Sequence, residues 1–581
     1  MGYLKFESRY DKWPETYVEG FDQEAWQGYA AIGTTLKAAM SDRRILVVDC
    51  YPGVDDEEVL PALVNSLQPE NVIESREIFW DSDTLTEKMR PFLTDDRVRG
   101  VMCYGVLSDF IDPKKLTAAQ KAVASLRGTV LVYGFGASLV TRGDLLVYAD
   151  LARWEIQLRY RKGMPNFNQH NEKEEPLGKY KRGYFVEWRI ADRHKRTLYD
   201  GMDYYLDTNV QGDPKMVTGR AFLRGLDILT AMPFRLVPYF DPGVWGGQWM
   251  KEVCGLNPSS PNYAWSFDGV PEENSLYLRY GCVRVETPAM NLVQYRPRQL
   301  LGEKTFARFG AEFPIRFDFL DTIDGQNLSL QVHPLTEYIK SKFAMTYTQD
   351  ESYYILDTLN EGGVYLGVQN DIDPEAMIHD LRAAQSGTQK FDAEKYVNFF
   401  PAKKHDHFLI PAGTVHCSSS GCMVLEISAT PYIFTFKLWD WNRVDLNGVP
   451  RPIHIEDGKQ VIQFDRDTEW VCRNLINRFE TLYDGPDFKE VKTGLHEYEF
   501  IETHVLTTKE HIRVLSDGEF AMLNLVEGQA AVVESPQGRF APFTVHYVET
   551  FILPARAGDY TIRPEREGQT IKVLKANVRY A

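Results

Sequence analysis

Leu328-Ser329-Leu330-Gln331-Val332-His333-Pro334 alternates apolar and polar side chains over one short stretch. In an extended strand, alternate side chains share a face. Gln331 and His333 therefore point together, while Leu330 and Val332 turn the other way. Pro334 has no backbone donor for a ladder and closes the strand. Eighteen residues past His333, Glu351 opens a second strand-like run, Ser352-Tyr353-Tyr354-Ile355-Leu356-Asp357. A third stretch, Ile410-Pro411-Ala412-Gly413-Thr414-Val415-His416, turns tightly and presents His416. Two imidazoles, a carboxylate and an amide oxygen make a mixed nitrogen and oxygen set for one divalent ion. Zn2+ is the first expectation, because it takes His and Glu and leaves a position open for substrate. Mn2+, Fe2+ and Co2+ accept the same ligand types. His405 and His407 precede the turn beside Lys403 and Lys404, and are expected at the surface or rim.

The same texture continues on both sides. From about residue 236, short alternating runs broken by Gly, Pro and Asn follow one another, as in a sandwich or barrel. A helical insert is expected near 374–400, over PEAMIHDLRAAQSG and DAEKYVNFF. Strand-like runs resume at about 498 and continue to the end. Leu553-Pro554-Ala555 repeats the punctuation of Ile410-Pro411-Ala412, a weak sign of two related barrels. The second copy carries no metal-type residues there, so a structural role is expected for it.

Upstream the pattern differs. RILVVDC (44–50), GVMCYGV (100–106) and GTVLVYG (128–134) read as buried strands, with the polar helical run KKLTAAQKAVASL between the last two. Alternating strands and helices predict a parallel α/β layer over about 40–150. The turn after the first strand, Asp49-Cys50-Tyr51-Pro52-Gly53-Val54-Asp55-Asp56, lacks the Lys and Ser/Thr of a phosphate-binding loop and puts two aspartates at the helix start. Gly134-Phe135-Gly136 is only a weak glycine signal.

Bulk properties set the outer bounds. A chain of 581 residues exceeds one hydrophobic core, so two to four domains are expected. The expected division is 1–235 (α/β), 236–445 (metal-binding barrel) and 446–581 (second barrel without metal). The net charge of −17 opposes broad nucleic-acid binding. No apolar run reaches membrane-spanning length, and the charged N-terminus lacks an apolar signal region. Seven scattered cysteines without a CxxC pair point to reduced thiols and a cytoplasmic address. The basic islands KYKRGY (179–184) and DRHKR (192–196) are expected to lie on a solvated face. Nothing in the sequence sets the oligomeric state.

Taken in order, several motifs resemble type I phosphomannose isomerases, a family of double-cupin enzymes. Gly243-Val244-Trp245-Gly246-Gly247 with Trp265 is similar to the family's opening motif. Gln331-Val332-His333-Pro334, Glu351, Ile410–His416 and Val424-Leu425-Glu426-Ile427 follow with compatible spacing. Thr435-Phe436-Lys437-Leu438-Trp439-Asp440-Trp441-Asn442-Arg443 and Arg451-Pro452-Ile453-His454-Ile455 complete the set. The resemblance spans residues 236–581. It implies a double cupin behind the α/β layer and one Zn2+ on Gln331, His333, Glu351 and His416. It implies Glu426 as acid/base carboxylate, Lys437 at an active-site cation, and interconversion of mannose 6-phosphate and fructose 6-phosphate through a cis-enediol. Two positions depart from the family: Lys437 replaces an arginine, and Gln349 replaces a lysine. They keep two other readings open, an isomerase for another sugar or sugar phosphate and a silent sugar-phosphate sensor. Residues 182–196 faintly resemble the closing segment of nucleoside- or uridine-kinase-like domains, which implies a degenerate, non-catalytic copy.

Overall fold

The computed structural model describes residues 2–429, 434–444, 451–494, 496–497 and 499–580. The expected boundary at 445–446 lies outside the described residues. The chain forms two compact units. One holds Glu15–Ile228 and Ser275–Tyr295; the other holds the residues up to Pro14, Leu229–Asn274 and everything from Arg296 on.

The first unit is an α/β layer. Five parallel strands lie in the order Tyr204–Asp207, Leu145–Asp150, Ile45–Cys50, Val130–Gly134, Asn71–Glu74. Lys215–Thr218 and Ala25–Gln27 extend the sheet antiparallel at one edge. Ile45–Cys50 and Val130–Gly134 are buried at every position, which is why they read as unbroken apolar runs. The helix Asp56–Leu67 is capped by Asp55, which accepts the Glu57 N–H at 3.1 Å, and Asp56 ties it to the sheet by accepting the Tyr133 hydroxyl at 2.9 Å.

Two expectations fail here. Residues 100–106 form no strand. Val130–Gly134 already fills the place between Ile45–Cys50 and Asn71–Glu74. The segment's donors are met one at a time instead, Val101 N–H by Phe92 O and Cys103 N–H by Phe185 O. The basic islands are not solvated either. They lie on one long helix, Pro176–Arg182 and Trp188–Lys195, joined by a π-helical turn at Gly183–Glu187. Lys179, Arg182, His194 and Lys195 are buried. Arg182 pairs with Glu187 at 2.9 Å, His194 with Asp49 at 2.9 Å, and Lys195 with Asp150 at 3.1 Å. The charge count was right, but an amphipathic pattern cannot show that each cation has a buried partner.

The second unit is antiparallel and built twice. In the first half a six-stranded sheet orders His407–Ile410, Glu351–Thr358, Cys422–Ser428, Arg316–Asp321, Trp265–Gly269 and Tyr239–Asp241. A five-stranded sheet orders Val397–Pro401, Gly363–Val368, His416–Ser418, Leu330–Val332 and Phe436–Trp439. In the second half, Thr550–Leu553, Ala521–Glu527, Ile571–Val578 and Ile501–Thr508 continue into Phe488–Lys492 and Glu480–Asp484. A four-stranded sheet orders Phe543–His546, Ala530–Glu534, Tyr560–Pro564 and Ile512–Val514. The eight strands from Arg316 to Ser428 and the eight from Ile501 to Val578 occupy matching sheet positions in the same chain order. Ile410-Pro411-Ala412 and Leu553-Pro554-Ala555 leave the same strand of each copy. The helical insert ends earlier than expected: Pro374–Gln385 and Ala393–Tyr396 are helical, but Val397–Pro401 pairs with Gly363–Val368. Among the described residues, no helix is long and apolar enough to cross a membrane.

Lys179 shows what the long helix contributes. Its ammonium donates to Tyr160 O at 3.3 Å, Met164 O at 3.0 Å and Glu172 O at 2.8 Å. Lys179→Met removes the donor to all three carbonyls, of which Tyr160 O keeps the Gly163 N–H. It should lower stability by about 2 kcal/mol, the scale of a hydrogen bond to a charged group. Urea unfolding measures the loss, and limited proteolysis should show earlier cleavage within 160–175.

Candidate metal centre

The two sheets of the first barrel bring His333, Glu351 and His416 together. Their ligand atoms lie within 4.8 Å of one another. His333 Nε2 stands 3.1 Å from Glu351 Oε1, and His416 Nε2 stands 2.8 Å from the same oxygen. All three side chains are at most 1% exposed. None of the three atoms makes a hydrogen bond of acceptable geometry. Buried polar atoms are seldom left this way without a ligand, water or ion to meet them.

The opposite nitrogens explain the orientation. His333 Nδ1 meets Phe434 O at 3.0 Å, and His416 Nδ1 meets Thr414 O at 2.9 Å. Each Nδ1 must donate to its carbonyl, which leaves the Nε2 lone pair facing Glu351. Metal-bound histidines are held in this manner. Burial raises the Glu351 carboxyl, but the positive charge that the His333 and His416 rings carry when protonated outweighs it and holds the group well below its usual range. The donor set and its empty-handed atoms fit a divalent ion.

Local sequence dictates the frame. Gly413 has φ 90°, and a Cβ there would meet Val461 O at 2.9 Å. Only glycine makes that turn without strain. Its N–H donates to His333 O at 2.9 Å, which ties the turn to the end of the Gln331 strand. Gln331 pairs across the sheet with His416 on one side and Lys437 on the other. Its side chain therefore shares their face and is nine-tenths buried. Lys437 is half-buried.

Glu426 lies opposite Tyr353 and Asp318 in the six-stranded sheet. Alternation places it on the Glu351 face. Gln349 binds both carboxylates, Glu351 Oε2 at 3.0 Å and Glu426 Oε1 at 3.3 Å, and accepts the Phe434 N–H at 2.6 Å. Ser428 also donates to Glu426. Burial pushes the Glu426 carboxyl well up, and the charges of Asp318 and Glu351 add to the shift.

Sequence reasoning missed Arg316 and Asp318. Both are 1% exposed, and the guanidinium forks onto the carboxylate at 3.2 and 3.0 Å. The alternation Arg316-Phe317-Asp318-Phe319 in an apolar run was the available signal. His407 corrects another expectation. It is fully buried, its Nε2 lies 2.9 Å from Ser352 Oγ, and burial alone depresses it to about 3. Its partner across the ladder is Tyr354, so it faces away from Glu351. His405 is half-buried between Tyr354 and Glu527. Neither joins the cluster.

Comparison with known proteins adds to this geometry. Mannose-6-phosphate isomerase ManA of Bacillus subtilis is 22% identical over 342 residues, covering 59% of this chain and 96% of the relative. A mannose-6-phosphate isomerase of Streptococcus mutans is 24% identical over 238 residues, covering 40% of this chain and 68% of the relative. The homologues are mannose-6-phosphate isomerases. The crystal structure of the Bacillus subtilis mannose 6-phosphate isomerase matches 60% of this chain and 99% of its own, at 18% identity and TM-score 0.49. A family model described as "Domain of unknown function (DUF8485)" matches residues 28–231. The likeness of that region to nucleoside or uridine kinases finds no support there.

The centre makes a direct prediction. Metal analysis of the purified protein should give about one divalent ion per chain, as expected for a single His/Glu site. His333→Ala and His416→Ala should each lose it, while His407→Ala keeps it. Unchanged stoichiometry in the first two variants contradicts the assignment.

Proposed function

We propose that the protein is a metal-dependent aldose–ketose isomerase acting on a hexose phosphate, with mannose 6-phosphate and fructose 6-phosphate as the pair. The observation that carries it is the convergence of three unpartnered ligand atoms beside a second, protonatable carboxyl. His333, Glu351 and His416 hold the ion, with Gln331 alongside. Zn2+ is the first choice. A bound divalent ion supplies Lewis-acid polarisation of the carbonyl next to the reacting C–H.

The remaining work falls to the chain's own groups. Glu426 takes the proton from one of C1 or C2 and returns it to the other, while the hydroxyl proton passes between O2 and O1 of the enediol, so one carboxyl serves the carbon transfer in both directions. Burial beside two other carboxylates raises its affinity for that proton. Lys437, in register with Gln331 and His416, offers positive charge to the developing enediolate. Gln349 fixes the Glu351 and Glu426 carboxylates relative to each other. The buried barrel walls exclude water that would otherwise quench the enediolate.

A second reading has its own support. Gln349 is neutral, and two of the three Arg316 guanidinium nitrogens are engaged by Asp318. A barrel wall with this charge balance also suits another sugar or sugar phosphate.

One assay separates the readings. Metal-stripped protein resupplied with Zn2+ should convert mannose 6-phosphate to fructose 6-phosphate. Glu426→Gln should lower kcat by about 100-fold or more, the usual scale of acid/base catalysis, with metal content unchanged. Absence of metal-dependent turnover on mannose 6-phosphate rules out the first reading. Turnover of a different sugar under the same conditions establishes the second.

A further inference from the structure

The repeat allows the two barrels to be compared position by position. Glu351 pairs with Ile410 in the first copy, and Ala521 pairs with Leu553 in the second. Ala521 thus stands where the metal-site carboxylate stands. Two residues on, Tyr353 faces Glu426, and Leu523 faces Lys575. Asp318 flanks Glu426 on the other side, as His504 flanks Lys575. Tyr560 opens the strand that corresponds to the one opened by His416. The mouth of the second barrel has exchanged a cation-binding set for an ammonium and a phenol.

That mouth is a cavity of about 250 Å3. Val514, Ala521, Leu553 and Tyr560 form its floor and belong to the barrel's apolar core. Lys575 and Asn577 continue the inward face of Ile571 and Val573, so both side chains enter it. The Tyr560 side chain is 1% exposed, and its hydroxyl has no hydrogen-bond partner. Lys575 makes neither a hydrogen bond nor an ion pair among the described residues. The carboxylates around it have other work. Glu502 accepts His504 Nε2 at 2.8 Å and Lys492 Nζ at 2.7 Å, and Glu490 accepts His504 Nδ1 at 2.7 Å. Glu519 accepts the Lys304 and Thr305 N–H groups at 3.0 Å each. Asp517 is exposed at the rim. Burial lowers the Lys575 ammonium, against the pull of Glu490, Glu502 and Asp517.

An unpaired ammonium and an unpaired phenol over an apolar floor are an incomplete polar set. Barrel mouths are frequent sites for small ligands. The geometry points to a second ligand site here, in which Lys575 and Tyr560 bind the oxyanion group of a small organic anion, a carboxylate or a phosphate monoester, whose carbon skeleton rests on Val514, Ala521 and Leu553. This site is separate from the metal centre, and the proposal does not depend on which sugar the first barrel takes.

Isothermal titration of the full-length protein tests it, with inorganic phosphate and succinate as separate probes. At least one probe should bind saturably. Lys575→Met should weaken it about tenfold or more, as loss of a charged hydrogen bond does. Lys575→Arg should retain most of the affinity, and Tyr560→Phe should weaken it with an unchanged thermal midpoint. If Lys575→Met does not fold, Tyr560→Phe and Lys575→Arg decide. Saturation by phosphate alone assigns a phosphate monoester; by succinate alone, a carboxylate. The proposal is overturned if neither probe saturates, or if affinity is unchanged in Lys575→Met and Tyr560→Phe. It is also overturned if binding is lost only in Lys437→Ala, because that places the anion in the first barrel.

Discussion

Two imidazole nitrogens and one carboxylate oxygen face each other on side chains at most 1% exposed, and among the described residues none of them has a hydrogen-bond partner. Such a cluster is costly unless something charged joins it. The surrounding architecture serves to hold it. One sheet supplies Glu351, the other supplies His416, and the glycine turn at 413 binds the chain leaving Gln331 and His333. The Phe434 and Thr414 carbonyls fix the rings. Removing any one of these constraints would let a ring turn away and find a hydrogen bond of its own.

The convergence of these side chains was legible in the sequence because they fall on a period of two and on a turn with little conformational freedom. Gln331 and His333 needed only strand alternation, and His416 needed only the turn. What alternation cannot show is which residue from a distant strand comes to lie opposite. Asp318 and Arg316 enter the wall because their strand pairs with the one carrying Glu426, a register set by the whole sheet. Gln349 looked like a missing charge. In the folded barrel it is an amide linking two carboxylates, where an amide nitrogen donates to both.

The α/β unit shows the opposite balance. Its strands at 45–50 and 130–134 were plain as apolar runs, yet 100–106 has the same composition and no ladder. A sheet has a fixed number of places, and local composition does not know when they are full. Lys179, Arg182, His194 and Lys195 were misplaced at the surface for a related reason. Asp49 and Asp150, the partners of His194 and Lys195, come from strands far away in the chain, Arg182 reaches Glu187 across the π turn, and the Lys179 cage comes from the carbonyls of Tyr160, Met164 and Glu172. A buried charge is recognisable only together with its counter-charge.

The π-helical turn at Gly183–Glu187 acts as a phase setter for that unit. An α-helix advances about 100° per residue, and a π turn accommodates one residue more than an α turn. Arg182 and Glu187, five apart in sequence, meet because of it. The same offset lets one rod satisfy two fixed addresses: Lys179 in its carbonyl cage before the turn, and His194 and Lys195 on the strand-end aspartates after it. Loss of a single residue from an α-helical half would rotate the rest of the rod by about 100°, whereas the turn itself can absorb such a loss by closing to an α turn. The rod thus has one place where a change of length can be taken up, and its five residues are all buried.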